Sequence, residues 1–254
     1  MSSEDDKPTL IAISALACIL QDVLHEGLGH GVTAWLSGAH QVTMSTVALQ
    51  SDIETRWVSA NGTLVNLAFA LVFWLALRAR DRYSPSVRYF LVLALAGNLF
   101  TGTGYFLFSG VADFGDWRAV IDGWEPHWLW RVALVALGAV SYFGSMLAVG
   151  RELLPFRDRL RAVCWTPYFT DGLLAGVAGI LNPAGLFYVI ASALPSTLGA
   201  NAGFLSLPGM MGRWAPADAA PAGPIRRSFP WIGAGAVASL LFIFVLGRGL
   251  TWSR

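Results

Sequence analysis

Charge is what this chain has least of: Asp, Glu, Lys and Arg together make up 13% of its 254 residues, about half the share in an average soluble domain. With 17 basic and 16 acidic side chains the formal net charge is +1. No excess of positive charge is available to bind a polyanion, which excludes nucleic acid as a partner. Cysteine is nearly absent. Cys18 and Cys164 lie in or beside apolar segments and form no C-x-x-C pattern, which excludes both a disulfide framework and a thiolate metal site. The acidic start "MSSEDDK" precedes an apolar run much longer than the ~7–15 residues of a signal-peptide core, so no cleaved leader is expected.

What remains is apolar. Hydrophobic residues make up 55% of the chain and the mean hydropathy is +0.56. The expected fold class is an all-α polytopic membrane protein whose partner phase is the lipid bilayer. A span needs roughly 20 apolar residues, and about six segments qualify: Thr9 to Leu36, Val58 to Leu77, Tyr89 to Gly110, Leu129 to Gly150, Cys164 to Leu194, and Phe229 to Leu250. The fifth is interrupted by Gly172, Gly176, Gly179, Asn182, Pro183 and Gly185, which predicts a break; counts from five to seven fit the pattern. Arginines at 78, 80, 82 and 88, and at 151, 157, 159 and 161, mark two cytoplasmic connectors by the positive-inside rule. Six spans then put both termini in the cytoplasm, at the plasma (inner) membrane, with 37–57 and 111–128 on the other side. Arg226 and Arg227 fit this arrangement less well. The alternation of Val42, Met44, Thr46 and Ala48 predicts a small surface β-hairpin or a solvated loop, and "PADAAPAGPIRRSFP" reads as a linker.

Ionisable groups inside a span are costly and mark function by default. Asp22, His25, Glu26 and His30 cluster in the first span, the last three within "HEGLGH". This is a lengthened form of the zinc-hydrolase helix motif H-E-x-x-H, in which two histidines four residues apart face one ion. Five steps of an ideal α-helix leave the imidazoles roughly 140° apart at about 100° per residue. Two repairs are open. A π-bulge, eased by Gly27, Gly29 and Gly31, would bring His25 and His30 together and leave Glu26 as general base. A regular helix would instead use Glu26 and His30 as ligands. The bulge is preferred because it offers zinc two imidazoles. The glycines also match close helix packing.

A third ligand is expected from Asp113, Asp116, Asp171, His40 or His127. His25 lies sixteen residues after Thr9, roughly 24 Å along a helix, in the outer half of the bilayer. Asp113 and Asp116 follow the outer end of the third span, whereas Asp171 enters from the cytoplasmic side. Asp116 is the choice because Gly115 permits a tight approach and Trp117 can anchor the segment at the interface; Asp113 is the alternative.

Together these residues resemble the site-2 protease family of intramembrane zinc metalloproteases, whose core is a helix with H-E-x-x-H, a second with a G-P-x-x-N type motif, and a third ending in an aspartate ligand. The counterparts are "HEGLGH", "GTLVN" (Gly62 to Asn66) and "FGDW", over about residues 9 to 118. The sequence departs from the family in the longer histidine motif, in Thr63 for proline, and in Gly-Asp-Trp for Leu-Asp-Gly. The resemblance implies a protease-like core at 1–128 with accessory helices at 129–254, and His25, His30 and Asp116 as zinc ligands. It further implies Glu26 as base, Asn66 beside the substrate channel, and a membrane protein or membrane-associated peptide as substrate. Asn66 equally suits an interhelical hydrogen bond. Two rivals are a catalytically silent protease-like scaffold and a transporter using the broken helix around Asp171 and Pro183.

Overall fold

The structure is a computed structural model and describes residues 4–79, 82–183, 185–214 and 221–254; Arg80 and the first part of the Pro/Ala linker lie outside these residues. The protein is mostly helical, with one three-stranded sheet. Five helical stretches are long and apolar enough to cross a bilayer: Lys7–Leu36, Arg56–Leu77, Pro85–Ala112, His127–Ile180 and Phe229–Leu246.

Capping residues set where these helices begin. Asp6 caps α1 (Lys7–Asp22) by accepting from the Thr9 N–H, with Pro8 in the first turn. Thr55 caps α2 (Arg56–Leu77) through the Val58 N–H, and Ser84 caps α3 (Pro85–Ala112) through Val87 N–H, with Pro85 opening the helix. Each side chain satisfies an N–H that the helix itself leaves unpaired. A short α4 (Asp116–Val120) follows the turn at Gly115, whose φ of 86° suits glycine. The fourth apolar stretch is two helices, α5 (His127–Leu153) and α6 (Leu160–Ile180), separated by the 3₁₀ segment Leu154–Arg159 that contains Pro155.

α6 ends where Asn182, Pro183 and Gly185 (φ 89°) interrupt the chain. The expected fifth span to Leu194 therefore divides here. The chain turns back through Leu186–Tyr188, the π-segment Val189–Ala193, α7 (Leu194–Ala200) and α8 (Gly203–Trp214). Along this return Asn201 meets Asp171, and Leu207 and Met211 join Tyr89, Val149 and Phe156 in the core. Ala222 N–H then bonds to Pro155 O, and Ile225 exchanges hydrogen bonds with Asp5 and Asp6 beside the start of α1. From there α9 (Phe229–Leu241) runs parallel to α1, with Gly235 against Ala12.

This broken return carries the chain back through the bundle, so that the two termini are not at one end as the six-span arrangement expects. The two termini lie at opposite ends. The strand Leu250–Ser253 pairs with Gln41–Met44, beyond the far end of the first helix, whereas Asp5 sits at the near end against Arg159. The correction also accounts for Arg226 and Arg227. They follow Ile225 at the near end, the end of the other arginine-bearing connectors.

The sheet has the order β2-β1-β3, with β1 (Gln41–Met44), β2 (Leu49–Ser51) and β3 (Leu250–Ser253) all antiparallel. Val42 is opposite both Ser51 and Trp252 and is fully buried over Ala34, Ala39 and Val58. A sheet of this size holds because one face packs on helices. β2 is an edge strand. Elsewhere large apolar side chains such as Val140, Phe169, Leu173 and Ile180 point outwards, as a bilayer-facing surface would require.

Candidate metal centre

The five-residue spacing of the histidines is matched by the backbone. Val23–Gly31 is a π-helix, closed by the i→i+5 hydrogen bond from Val32 N–H to Gly27 O. In such a helix residues five apart stack on one face, and the His25 and His30 rings meet edge to face with centroids 4.7 Å apart. The widened segment covers nine residues, rather than the single inserted residue of the expected bulge.

The glycines act through their missing side chains. None of Gly27, Gly29 and Gly31 has a positive φ, so unusual backbone angles are not their contribution. A Cβ on Gly29 would lie 2.5 Å from Gly62 Cα, and a Cβ on Gly62 would lie 2.4 Å from His30 Nε2 and 2.8 Å from His25 Cε1. α2 therefore crosses the π-helix at van der Waals contact. The two imidazoles occupy the space a side chain at Gly62 would take.

Each ring is oriented by its Nδ1. His30 Nδ1 donates to the carbonyl of Val58 at 2.7 Å, and His25 Nδ1 donates to Asn66 Oδ1 at 2.6 Å. The Asn66 amide is itself oriented, since its Nδ2 donates to Asn98 Oδ1 at 2.8 Å and to Gln21 O at 3.2 Å. With each Nδ1 carrying the proton, the Nε2 lone pairs of the neutral rings face each other at 3.2 Å. Asp116 Oδ2 completes a triangle, 3.1 Å from His25 Nε2 and 3.3 Å from His30 Nε2. Three acceptors this close need a positive charge among them, either a second proton on an imidazole or a bound cation.

Metal geometry supplies a quantitative check on this triangle. Zinc bonds of about 2.0–2.1 Å at tetrahedral angles separate neighbouring donor atoms by roughly 3.3 Å. The observed edges match. Glu26 stands beside the triangle, with a carboxylate oxygen within 4.8 Å of a nitrogen on each ring. Its side chain is buried, and Oε2 has no hydrogen-bond partner. His25 and His30 with Glu26, and the same two rings with Asp116, are both donor sets close enough to fit a metal ion.

α4 delivers Asp116 as its first residue. Trp117 ties the segment to neighbouring helices: its indole N–H donates to Thr63 Oγ1 at 3.0 Å and its backbone N–H to Ser109 Oγ at 3.2 Å, which fixes α4 to α2 and α3. Burial alone would raise the Asp116 carboxyl, but when a second proton on the imidazoles stands where a cation would, the charge and hydrogen bonds of His30 and His25 hold it well below the usual carboxylate range. Asp113, one turn earlier, faces elsewhere. It caps α3 in the left-handed conformation (φ 52°), contacts His127 Nε2 at 2.9 Å and Arg131 at 3.5 Å, and is held low chiefly by the His127 hydrogen bond. Asp171 accepts from Asn201 Nδ2 at 2.7 Å, and His40 pairs with Asp52 on the sheet.

A cleft of about 500 Å³ opens onto Glu26, His30 and Asp116, with Leu49 and Ser51 of β2 on one side and Tyr105 and Phe108 on the other. Comparison of the chain with protein-family models, with curated proteins and with solved structures gave no match. Function therefore has to be argued from the site. Sequence reasoning missed Asn98, a lone amide in the otherwise apolar "LALAGNLF", whose composition was the available signal. It also missed Tyr105, whose ring lies 4.7 Å from that of His25, and the Val58 carbonyl, which no side-chain pattern can show.

Proposed function

We propose that this protein is an intramembrane zinc metalloprotease resembling the site-2 proteases, with His25, His30 and Asp116 as ligands and Glu26 as general base. The observation that carries the reading is the triangle of two Nε2 atoms and one carboxylate oxygen with edges of 3.1–3.3 Å, each imidazole oriented through its other nitrogen. Second partners of this kind are a regular feature of metal-ligating histidines.

Zinc held by these three residues would supply a Lewis acid that acidifies water and polarises a peptide carbonyl. The protein groups do the rest. Val58 O and Asn66 fix the rings, and α4 carries the carboxylate in from the membrane surface. Glu26 takes the proton of the attacking water and returns it to the departing amine. The edge of β2 borders the same cleft, and its unpaired backbone groups can hold an unwound substrate segment extended by strand addition. A membrane protein or membrane-associated peptide is the corresponding substrate class. The arginine-bearing end with the N-terminus is then cytoplasmic, and the site faces the opposite side of the inner membrane.

Glu26→Gln separates binding from chemistry. Purified protein reconstituted in liposomes with a panel of single-span membrane peptides should cleave at least one of them. The variant should keep its zinc and lose cleavage by about 10²–10⁴-fold, the usual contribution of a general base. Cleavage unchanged by Glu26→Gln refutes the assigned base, and wild-type protein with zinc but no cleavage of any peptide favours the silent scaffold.

A further inference from the structure

Behind the metal centre lies a second, smaller cavity of about 30 Å³, whose wall includes Asp22, Glu26, Thr101, Gln21, Ser196 and Thr197. Glu26 lines both this cavity and the outer cleft. Three oxygen atoms in the wall are buried and have no hydrogen-bond partner: Asp22 Oδ2, Glu26 Oε2 and Thr101 Oγ1. Glu26 and Thr101 are 7% and 3% exposed, so neither group recovers its lost hydration from solvent. Two carboxylates share the wall with no lysine or arginine among its described residues, in the interior of a bundle where unpaired ionised groups are expensive.

We infer that this cavity is a binding site for a small alkali cation, sodium in preference to potassium, held by Asp22, Glu26 and Thr101. Apart from His25, the wall offers oxygen donors only, and oxygen donors of this kind select hard cations over zinc or copper. Size selects within that class. The cavity has room for only about one or two water-sized occupants, whereas calcium takes six to eight oxygens and magnesium retains several waters. The site does not depend on the zinc reading, since Asp22 and Thr101 take no part in the ligand triangle.

The test is thermal unfolding of the purified full-length protein in detergent, in sodium, potassium and N-methylglucamine chlorides at matched ionic strength, with zinc content measured on the same samples. A ligand that binds only the folded state raises its stability in a saturable way. The expected result is a saturable, sodium-specific rise of several degrees in Tm that disappears in Asp22→Asn and in Thr101→Val. Both variants keep the wild-type zinc content, and His30→Ala, outside the cavity wall, keeps the sodium response. Thr101→Val preserves shape and carries the test if Asp22→Asn does not fold. Equal Tm in all three salts, a sodium effect that survives both substitutions, or stabilisation by calcium or magnesium instead, overturns the proposal. Absence of zinc with an intact sodium response overturns the protease reading alone.

Discussion

Gly62→Ala is the substitution whose consequence follows most directly from the geometry. The added methyl would sit 2.4 Å from His30 Nε2, 2.6 Å from His30 Cε1 and 2.8 Å from His25 Cε1. To reach ordinary van der Waals separation the His30 nitrogen has to retreat by about 1 Å. Neither ring is free to do so cheaply, because His30 is held by Val58 O at 2.7 Å and His25 by Asn66 at 2.6 Å. α2 cannot back away cheaply, since Asn66 ties it to His25, Gln21 and Asn98 and Thr63 accepts from the Trp117 indole. The helix itself tolerates the change: alanine in a helix interior is favoured over glycine by roughly 0.5–1 kcal/mol. The prediction is therefore a folded protein with a damaged metal site. Disturbing the groups that orient metal ligands costs about 10–100-fold in affinity, and a misplacement of about 1 Å in a catalytic centre costs about 10²-fold in rate. Competition with a chromophoric zinc chelator reads the affinity, and circular dichroism with a thermal melt reads the fold. Wild-type zinc affinity in a folded Gly62→Ala protein would refute the placement of both imidazoles against α2.

Two further substitutions test the surroundings of the site. Asn66→Leu removes the acceptor for His25 Nδ1 and breaks the chain to Asn98; zinc affinity should fall by about 10–100-fold in the same chelator titration, with the His30 side of the site intact. Asp113→Asn should leave zinc content unchanged, because Asp113 pairs with His127 and Arg131 instead. The Asp113 carboxyl is held below its ordinary value by the His127 hydrogen bond. Its stabilisation is thus complete above the unfolded value of about 3.9 and is lost as pH falls through the lowered folded value. Melting curves of wild type and variant should differ at mildly acidic to neutral pH and converge in strong acid.

The cluster of His25, Glu26 and His30 was legible in the sequence because ionisable residues stand out in an apolar span, and because five-residue spacing admits only a few backbone geometries. The π-helix is one of them. Its length was not legible, since it depends on how closely α2 packs, which is set by Gly29 meeting Gly62 across thirty-three residues of sequence. Gly115 and Trp117 favour Asp116 over Asp113 in the sequence, and Gly115 does turn the chain at that point. The fixing of α4 by Trp117 and Thr63 could not be read, because it is a contact between separate helices. The course of the broken return was hidden by its own composition: Asn182, Pro183 and Gly185 mark a break, but a broken segment gives no uniform apolar run. β3 was invisible for a related reason. Four residues at the C-terminus become a strand only through pairing with Gln41–Met44, some two hundred residues away.

Zinc K-edge X-ray absorption on the purified full-length protein tests the central claim most directly. The account predicts about one zinc per chain in a shell of nitrogen and oxygen only, at about 2.0–2.1 Å, with the outer-shell scattering of two imidazoles and no sulfur. Protein that takes up no zinc when supplied with it, or a zinc shell with a single imidazole or a sulfur at about 2.3 Å, would contradict it.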